Sequence, residues 1–395
     1  MKCEVAKDVF WVGAVDWNVR NFHGYTFNTS RGTTYNSYLI LDDKVTLVDA
    51  VHGQFADELL ERISAIIPVQ KIDYIIANHV ESDHSGALPK LMQAAPQAKI
   101  FGTQKCRQGL YRHYYADWDF QEVRTGDKLP LGKKTLSFIE APMLHWPDSM
   151  FSYLGEGEVL FSNDAFGQHL ADCKRFDDEV DNAVLMDEAR KYYANILWPL
   201  SQLVSKKLQE LSNSGLKVTT IAPSHGVIWR SCPQDILQAY SRWSGNHSGY
   251  KAVLVYETMW GATERMAQAI ASGLIDSGAQ VKIFDINRSE QTEIIGEMLE
   301  AKGYLLGSST HDNGMLPQIA GFMQFQKGLR PKDRLAAVFG SYGWAGGAQK
   351  EIEEVLLSSG IPLAQEGISF QYKPSAQDLK ACYRFGVEFA QKIAK

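Results

Sequence analysis

Four residues of metal-binding types occur within six positions of the sequence: His79, Glu81, Asp83 and His84. They directly follow an apolar segment typical of a buried strand, and Gly86 permits a tight turn into a following helix. Imidazoles and carboxylates crowded beside a hydrophobic core lose their hydration, which is costly unless they are paired or bind a metal. The spacing therefore favours a metal site over a pair of structural histidines.

Three further candidate ligands occur later in the chain, each after a strand-like segment. They are His145 after Thr135–Glu140, Asp164 after Val159–Phe161, and His225 after Val218–Ala222. Each residue alone is typical of a turn or a helix cap. Because loops at the ends of strands converge in space, however, the three residues complete a cluster of four imidazoles and three carboxylates. This donor set is harder than a thiolate or all-histidine set and suits redox-active iron.

A second group of candidates lies in three loops of the last third of the chain. The first loop follows the strand-like segment Ala252–Tyr256 and offers hydroxyls, backbone N–H groups and a helix N-terminus to a phosphate. The other two loops follow later strands, and Tyr342 and Trp344 lie among glycines and suit contact with a flat ring. The predicted cofactor-binding residues are Thr258, Met259, Trp260, Gly261, Ala262, Thr263, Ser309, Thr310, Asn313, Gly314, Ser341, Tyr342, Gly343, Trp344 and Gly346.

Short apolar segments that alternate with a helical pattern indicate mixed α/β structure in the first two thirds of the chain. Predicted strands cover Tyr35–Leu41, Val45–Asp49, Ile72–Asn78, Thr135–Glu140, Met150–Leu154, Val159–Phe161 and Val218–Ala222. Helical spacing covers Phe55–Ile67 and one long region from about Asp187 to Leu211. Every candidate metal ligand follows one of these strands.

A polar connector, Pro233–Trp243, and the segment Ser244–Gly249 separate this part from a second pattern. We therefore expect two domains, residues 1–249 and 250–395. In the second domain, helices alternate with strands at Ala252–Tyr256, Val281–Asp285, Gly303–Gly307 and Arg334–Gly340. This alternation predicts a doubly wound parallel sheet with its ligand at the carboxyl ends of the strands.

Composition excludes several classes of protein. The 395 residues exceed the usual size of one hydrophobic core, and 45% are hydrophobic, which is typical of a folded protein with more than one domain. A net charge of −6 without a basic run argues against nucleic-acid binding. The sequence begins without a signal-like apolar region and predicts no membrane span, so we expect a cytoplasmic protein. The five cysteines form no CxxC pair, so electrons must come from a centre outside this chain.

The order His79-x-Glu81-x-Asp83-His84, then His145, Asp164 and His225, resembles the metallo-β-lactamase fold. Hydrolases of that fold usually carry a second histidine where Glu81 stands, and the glutamate resembles the flavodiiron branch. The resemblance implies an N-terminal αββα sandwich and a flavodoxin-like domain. It also implies that His79, Glu81 and His145 hold one iron, that Asp83, His84 and His225 hold the other, and that Asp164 bridges them.

The three later loops resemble the phosphate loop and the two ring-flanking loops of flavodoxins. FMN is favoured over FAD because no GxGxxG turn is present. The phosphate loop of that family usually has serine where Ala262 stands, which removes one hydroxyl contact. Thr258 and Thr263 remain.

Together these resemblances imply an oxidoreductase that reduces O2 to water, or two NO to N2O. In this reaction FMN would return electrons to the irons. The external donor implied is rubredoxin, with a reduced deazaflavin as the alternative. The resemblance also implies a head-to-tail homodimer, or a dimer of such dimers, in which the FMN of one subunit lies beside the irons of the other. His23, Tyr25, Trp146 and Tyr193 are candidates for the lining of the substrate pocket.

Two alternatives from other classes remain open at the level of the sequence. One is a zinc hydrolase fused to a flavodoxin module, although zinc has no redox chemistry and would leave the flavin without an acceptor. The other is an electron carrier with a structural metal site. The residue types leave the choice between O2 and NO open as well.

Overall fold

A computed structural model describes residues 2–24 and 26–394. Its internal contacts define two compact units. The first comprises Met1–Tyr25, Thr29–Tyr192 and Gln202–Ser241, and the second comprises Thr26–Asn28, Tyr193–Ser201 and Arg242–Lys395. The domain boundary after residue 249 stays a prediction.

Sixteen strands precede residue 249 in the described part of the chain. They are β1 (Cys3–Ala6), β2 (Val9–Trp11), β3 (Ala14–Asp16), β4 (Asn21–Phe22), β5 (Phe27–Asn28), β6 (Thr33–Tyr35), β7 (Tyr38–Ile40), β8 (Thr46–Val48), β9 (Tyr74–Ile76), β10 (Lys99–Gly102), β11 (Phe120–Glu122), β12 (Lys128–Pro130), β13 (Thr135–Glu140), β14 (Met150–Leu154), β15 (Val159–Asn163) and β16 (Thr220–Pro223). The helices are α1 (Ala56–Ser64), α2 (Ser82–Ser85), α3 (Leu88–Ala94), α4 (Gln104–Tyr114), α5 (Asn182–Tyr192), α6 (Ser201–Asn213) and α7 (Pro233–Ser244).

Two mixed sheets form the centre of the first unit. One has the order β1-β2-β7-β8-β9-β10-β11, and the other has the order β12-β13-β14-β15-β16. Their facing side chains form one hydrophobic core, in which Tyr38 and Ile76 of the first sheet and Phe138 and Phe161 of the second are each at most 2% exposed. The rings of Tyr38 and Phe161 meet across the interface with their centroids 5.2 Å apart. This sandwich places the carboxyl ends of β9, β15 and β16 where their loops carry the candidate ligands.

The helical region predicted from about Asp187 to Leu211 is confirmed, although it is not one continuous α-helix. α5 ends at Tyr192, a π-helical segment covers Tyr193–Leu197, and a 3-10 turn at Trp198–Leu200 precedes α6. Pro199 accounts for part of the break, because proline has no N–H to donate within a helix and its ring clashes with the preceding turn. The apolar spacing continues through the break, and for this reason the pattern alone does not reveal the change of helix type.

The second unit contains a five-stranded sheet of β17 (Gly249–Glu257), β18 (Gln280–Asp285), β19 (Ala301–Ser309), β20 (Leu335–Tyr342) and β21 (Ile368–Gln371). Its helices are α8 (Ala262–Asp276), α9 (Gln291–Leu299), α10 (Pro317–Leu329), α11 (Ala348–Ser358) and α12 (Ala376–Ile393). All strands are parallel in the order β18-β17-β19-β20-β21, the 2-1-3-4-5 order of a flavodoxin-like sheet. The predicted doubly wound sheet is confirmed, with β21 as a fifth strand that the sequence pattern missed.

In the described residues, no helix is both long enough and apolar enough to cross a lipid bilayer.

Candidate active site

All seven candidate metal ligands lie in or just after the loops that leave the strands of the first unit. His79 and Glu81 lie between β9 and α2, and Asp83 and His84 lie in α2 itself. The remaining three follow β13, β15 and β16 and are His145, Asp164 and His225. The structure brings them together as two groups, one of His79, Glu81, His145 and Asp164, the other of Asp83, His84 and His225, with the ligand atoms of each group within 4.8 Å of one another.

The first group is organised around Glu81. Its Oε2 lies 3.3 Å from His79 Nε2 and 3.4 Å from His145 Nε2. His145 Nε2 also lies 3.3 Å from Asp164 Oδ2. Two imidazole nitrogens and two carboxylate oxygens thus face one position, which is the first candidate metal site.

The second group has the same character. Asp83 Oδ2 lies 3.3 Å from His84 Nε2 and 3.1 Å from His225 Nε2. These side chains are all at most 8% exposed, so solvent does little to screen their charges. The two imidazoles and the carboxylate of this group face a second position, which is the second candidate metal site.

Asp164 links the two groups through its two carboxylate oxygens. Oδ2 faces the first group at 3.3 Å from His145 Nε2, whereas Oδ1 faces the second at 3.1 Å from His84 Nε2 and 3.4 Å from His225 Nε2. Oδ1 also accepts hydrogen bonds from the Tyr192 hydroxyl at 3.1 Å and the Ser224 hydroxyl at 3.0 Å. The carboxylate is therefore held in an orientation that serves both candidate metal sites.

The electrostatics of the cluster favour bound cations. Burial opposes a charge on His79, but the hydrogen-bonded carboxylates of Asp148 and Glu81 outweigh it and raise the pKa of His79 to about 10. A similar balance with Asp164 and Glu81 raises the pKa of His145 to about 10. Burial raises the pKa of Asp164, but neighbouring imidazoles led by His84 outweigh burial and hold that pKa well below its usual range. A metal ion would replace the imidazole protons as the positive charge.

Several atoms of the cluster lack a hydrogen bond, although oppositely charged groups lie close to some of them. Asp83 Oδ1, Asp164 Oδ2 and His84 Nε2 are buried and have no hydrogen-bond partner in the described part of the chain. A buried polar group left in this way costs about 1–3 kcal/mol. Metal ions bound at the two candidate metal sites would satisfy these atoms.

A cleft of about 720 Å³ opens at the carboxyl edge of the second unit's sheet. It lies at the switch point between β17 and β19, where the strand order reverses and ligands bind in such sheets. Eleven of the predicted cofactor-binding residues line it: Met259, Trp260, Gly261, Ala262, Ser309, Thr310, Asn313, Ser341, Tyr342, Gly343 and Trp344. Trp260 and Trp344 are 91% and 90% exposed, so both rings are free to cover a ligand.

The floor of the cleft at the start of α8 carries three hydroxyls. Thr263 Oγ1 lies 3.0 Å from Ser309 Oγ and 2.9 Å from Ser341 Oγ, and all three side chains are buried. Gly261 has φ = 77°, a left-handed conformation that suits glycine, and its N–H donates to Thr258 Oγ1 at 3.1 Å. Hydroxyls and the N-terminus of a 15-residue helix form a site suited to a phosphate.

Four of the predicted residues lie outside the lining of the cleft. Thr258 and Thr263 shape the turn and the floor through the hydrogen bonds just described. A Cβ atom on Gly314 would come within 2.7 Å of Glu351 Oε2, and one on Gly346 would lie 3.9 Å from the Tyr342 ring. These two glycines therefore contribute to the site through the backbone conformation of the loops and not through a side chain that contacts the ligand.

Comparison with known proteins gives a family. Residues 33–226 match the ODP family beta lactamase and residues 254–386 match flavodoxin. A nitric oxide reductase of Moorella thermoacetica is 48% identical over 99% of this chain and 98% of its own length. The chain belongs to the flavodiiron protein family.

Two solved structures agree with this assignment. Rubredoxin oxygen:oxidoreductase from Desulfovibrio gigas superposes with a TM-score of 0.97 and 37% identity, covering 100% of this chain and 99% of that one. A flavodiiron protein from Giardia intestinalis superposes with a TM-score of 0.96 and 34% identity, covering 100% of this chain and 97% of that one. The predicted pairing of a metallo-β-lactamase-like sandwich with a flavodoxin-like domain is confirmed.

As a flavodiiron protein, the chain is an oxidoreductase whose cofactors are a non-haem di-iron pair and FMN. The residues fit both groups. The two candidate metal sites together offer imidazoles and carboxylates without a thiolate, a set that suits iron. The flavodiiron assignment is favoured over a zinc hydrolase fused to a flavodoxin module.

Sequence reasoning missed the residues that position the ligands. Asp148 accepts from His79 through Nδ1, and the carbonyl oxygen of Thr34 lies 2.7 Å from His225 Nδ1. Such partners orient an imidazole so that Nε2 points at the metal. The segment Pro147-Asp148 directly follows His145 and Trp146, and an acidic residue beside a predicted ligand is a signal that was available.

The candidates for the substrate pocket have different positions. His23 lines a cavity of about 600 Å³ together with Glu81 and Asp83, and His23 Nε2 lies 3.1 Å from Glu81 Oε1. The Trp146 ring packs edge-on against His79 at 5.1 Å between centroids. Tyr193 belongs to the second unit, where its hydroxyl bonds with Ser201. Tyr25 lies outside the described residues.

Proposed function

We propose that this flavodiiron protein reduces two NO to N2O and water, with electrons that pass from an external donor through FMN. The position of Asp164 between the two ligand groups carries this proposal, since a bridging carboxylate holds two metal ions close enough to share one small substrate. The choice of NO rests on the nitric oxide reductase of Moorella thermoacetica, which is similar to this chain over almost its whole length.

In this proposal His79, Glu81 and His145 would hold one iron, while Asp83, His84 and His225 would hold the other. Asp164 would serve both, since its Oδ2 faces the first ligand group and its Oδ1 faces the second. When bound, the irons supply electrons and adjacent open coordination positions, and FMN restores those electrons.

The protein's own groups provide orientation and protons. Asp148 keeps His79 in the tautomer that directs its lone pair inward. His23 faces the cavity with Nε2 3.1 Å from Glu81 and is placed to hold a proton there for the water that leaves. Glu81 and Asp83 line the same cavity as His23, so we expect substrate to reach the cluster through it.

O2 is the second candidate substrate. The relative from Desulfovibrio gigas is named for oxygen reduction and is 37% identical over the whole chain. The same ligand set would serve both gases, because both are small diatomic molecules that accept electrons from a pair of irons. We therefore expect measurable O2 reduction, at a lower efficiency than NO reduction.

Rubredoxin is the electron donor we propose, since the Desulfovibrio gigas relative bears its name.

We also propose a head-to-tail homodimer that places each FMN beside the irons of the other subunit. The cytoplasm is the proposed compartment, in keeping with five free cysteines, two of them exposed. If a monomeric form kept the full rate of electron transfer from flavin to iron, the dimer proposal would be wrong.

Steady-state consumption of each gas with one reduced donor tests the proposed function. Purified protein containing iron and FMN receives reduced rubredoxin and either NO or O2, and gas chromatography measures N2O. We expect N2O as the product and a kcat/KM for NO above that for O2. A higher kcat/KM for O2 would show that O2, and not NO, is the preferred substrate. Consumption of neither gas would favour the electron-carrier alternative.

A further inference from the structure

Two cationic side chains line the flavin cleft without a carboxylate partner. Arg265 and Lys373 both lie in its wall, and neither forms an ion pair in the described part of the chain. The acidic side chain in the lining is Asp312, whose Oδ2 lies 3.3 Å from His311 Nδ1. Other lysines and arginines of this unit, such as Arg288 with Asp285, do have carboxylate partners. The cleft therefore presents an excess of positive charge to whatever binds in it.

The backbone of Lys373 is held in place from both sides. β21 ends at Gln371, which pairs with Tyr342 at the end of β20. The next N–H, that of Tyr372, donates to the carbonyl oxygen of Tyr342 at 2.7 Å. On the other side, Ser375 caps helix α12 by accepting a hydrogen bond from the N–H of Asp378 at 3.2 Å. The short connection between strand and helix thus keeps Lys373 at the rim of the cleft.

The two cations lie at different ends of the cleft. Arg265 belongs to the first turn of α8, beside the hydroxyls suited to a phosphate. Lys373 instead lies beside the loop of Tyr342 and Gly343, where a Cβ atom on Gly343 would be 3.9 Å from the Tyr372 ring. This loop is one of those expected to flank the flavin ring. Arg265 therefore faces the phosphate end, and Lys373 faces the ring end.

We propose that Lys373 stabilises the negative charge of fully reduced FMN and thereby favours delivery of electrons in pairs. This inference rests on the FMN-dependent electron transfer proposed above. Oxidised FMN takes up two electrons and one proton to become an anion whose extra charge resides on the pyrimidine part of the ring. A cation beside that part is one of the means by which proteins tune a flavin. Lys373 acts through its charge alone and transfers no proton.

The predicted consequence concerns the second electron. The first electron arrives with the proton and gives a neutral radical, and the second electron converts this radical into the anion. Stabilisation of the anion therefore makes the second reduction step easier relative to the first, so less flavin remains as the one-electron radical. The effect of one charge at a solvated rim is screened by water and salt, and we expect about a tenfold change in the radical formation constant. That change corresponds to about 59 mV in the second one-electron step.

The test is an anaerobic reductive titration of the full FMN-loaded protein, with the flavin radical measured by EPR. Lys373→Gln removes the charge at similar length, and we expect the radical formation constant to rise about tenfold, which is about threefold more radical at half reduction, because the amount of radical follows the square root of that constant. We expect Lys373→Arg to behave as the parent. Lys332→Gln is the matched control, because Lys332 is exposed and precedes β20 at the opposite edge of the sheet.

The affinity for FMN in each oxidation state separates the charge effect from a structural one. If Lys373 acts by charge, Lys373→Gln weakens the binding of reduced FMN more than that of oxidised FMN. Equal weakening in both states, or unchanged radical formation, would overturn the inference. Neither measurement uses NO or O2, so the outcome does not depend on whether the proposed gas reduction is correct.

Discussion

His79 Nδ1 lies 3.2 and 3.1 Å from the two carboxylate oxygens of Asp148, and both side chains are buried. Asp148 Oδ2 also accepts from the N–H of Val80 at 2.8 Å, so the carboxylate is fixed against the backbone of the ligand loop. With Nδ1 as a donor, the imidazole presents the lone pair of Nε2 towards Glu81 and Asp164. Asp148 therefore determines both the tautomer and the direction of a proposed iron ligand.

Asp148→Asn should lower iron affinity while the protein stays folded. The amide oxygen of asparagine can still accept a hydrogen bond from the N–H of Val80. It carries no negative charge, however, and therefore attracts the Nδ1 proton of His79 less strongly. Loss of such a partner typically reduces metal affinity about 10–100-fold. Iron content after dialysis against a chelator measures the effect, with FMN content as an internal reference. Asp178→Asn, at an exposed pair with Arg230, is the control, and iron content equal to the parent's in Asp148→Asn would contradict the role.

Glu81→His should weaken iron retention and shift the metal preference towards zinc. The substitution restores the histidine that hydrolases of this fold usually carry and removes a carboxylate lying within 3.4 Å of both His79 and His145. The remaining set is softer, and more imidazole favours zinc over redox-active iron. We expect the iron-to-zinc ratio to fall about tenfold or more in protein grown with both metals.

Glu61→His on the exposed face of α1 serves as the control for this change, since it adds an imidazole at an exposed residue that belongs to neither ligand group. Metal content by mass spectrometry and gas consumption should fall together in Glu81→His. An unchanged metal ratio with unchanged activity would remove Glu81 from the ligand set.

Removal of the metal should make stability depend on pH in a specific direction. The folded-state pKa values of His79 and His145 are about 10, and that of His84 is about 9, all above the ordinary value of 6.5. A raised pKa contributes stability that is fully present below pH 6.5 and is lost as the pH rises through the folded value. Each proton difference changes the free energy of unfolding by about 1.4 kcal/mol per pH unit.

Metal-free protein should therefore lose stability between about pH 6.5 and 10 more steeply than iron-loaded protein, in which the metal has displaced these protons. Tm measured across this range for both forms gives the comparison, and their difference cancels the titration of groups outside the cluster. Parallel curves for the two forms would show that the imidazoles do not hold protons in the folded metal-free state.

Local sequence was sufficient to predict the ligands because each one follows a strand that the apolar pattern reveals. β13 and β14 have the bounds expected from the sequence, and the loops after β15 and β16 hold Asp164 and His225. Strand ends converge in an α/β fold, so a set of ligands distant in sequence is still readable. The same logic indicated the three flavin loops.

Partners that depend on tertiary contact were not readable in this way. Asp148 stands out as an acidic residue near His145, but it is separated from His79 by 69 positions, and no spacing rule shows that these two residues pair. β21 is short and alternates between partly buried and exposed residues, so Ile368–Gln371 lacks the apolar run of a central strand. Without β21, the Tyr372 and Lys373 connection could not be placed at the cleft. The break after α5 was hidden because apolar residues continue through it.

The final prediction concerns the floor of the flavin cleft. Thr263→Val keeps the shape of the buried side chain but removes the hydroxyl that lies 3.0 Å from Ser309 Oγ and 2.9 Å from Ser341 Oγ. A hydrogen bond to a charged group such as a phosphate contributes about 1.5–3 kcal/mol, so we expect FMN to dissociate at least about tenfold more readily. Thr263→Ser restores the hydroxyl and should recover most of the affinity. Fluorescence titration of flavin-free protein with FMN and with riboflavin decides the case: an affinity loss for FMN alone locates the phosphate at Thr263, whereas equal losses for both ligands would contradict that placement.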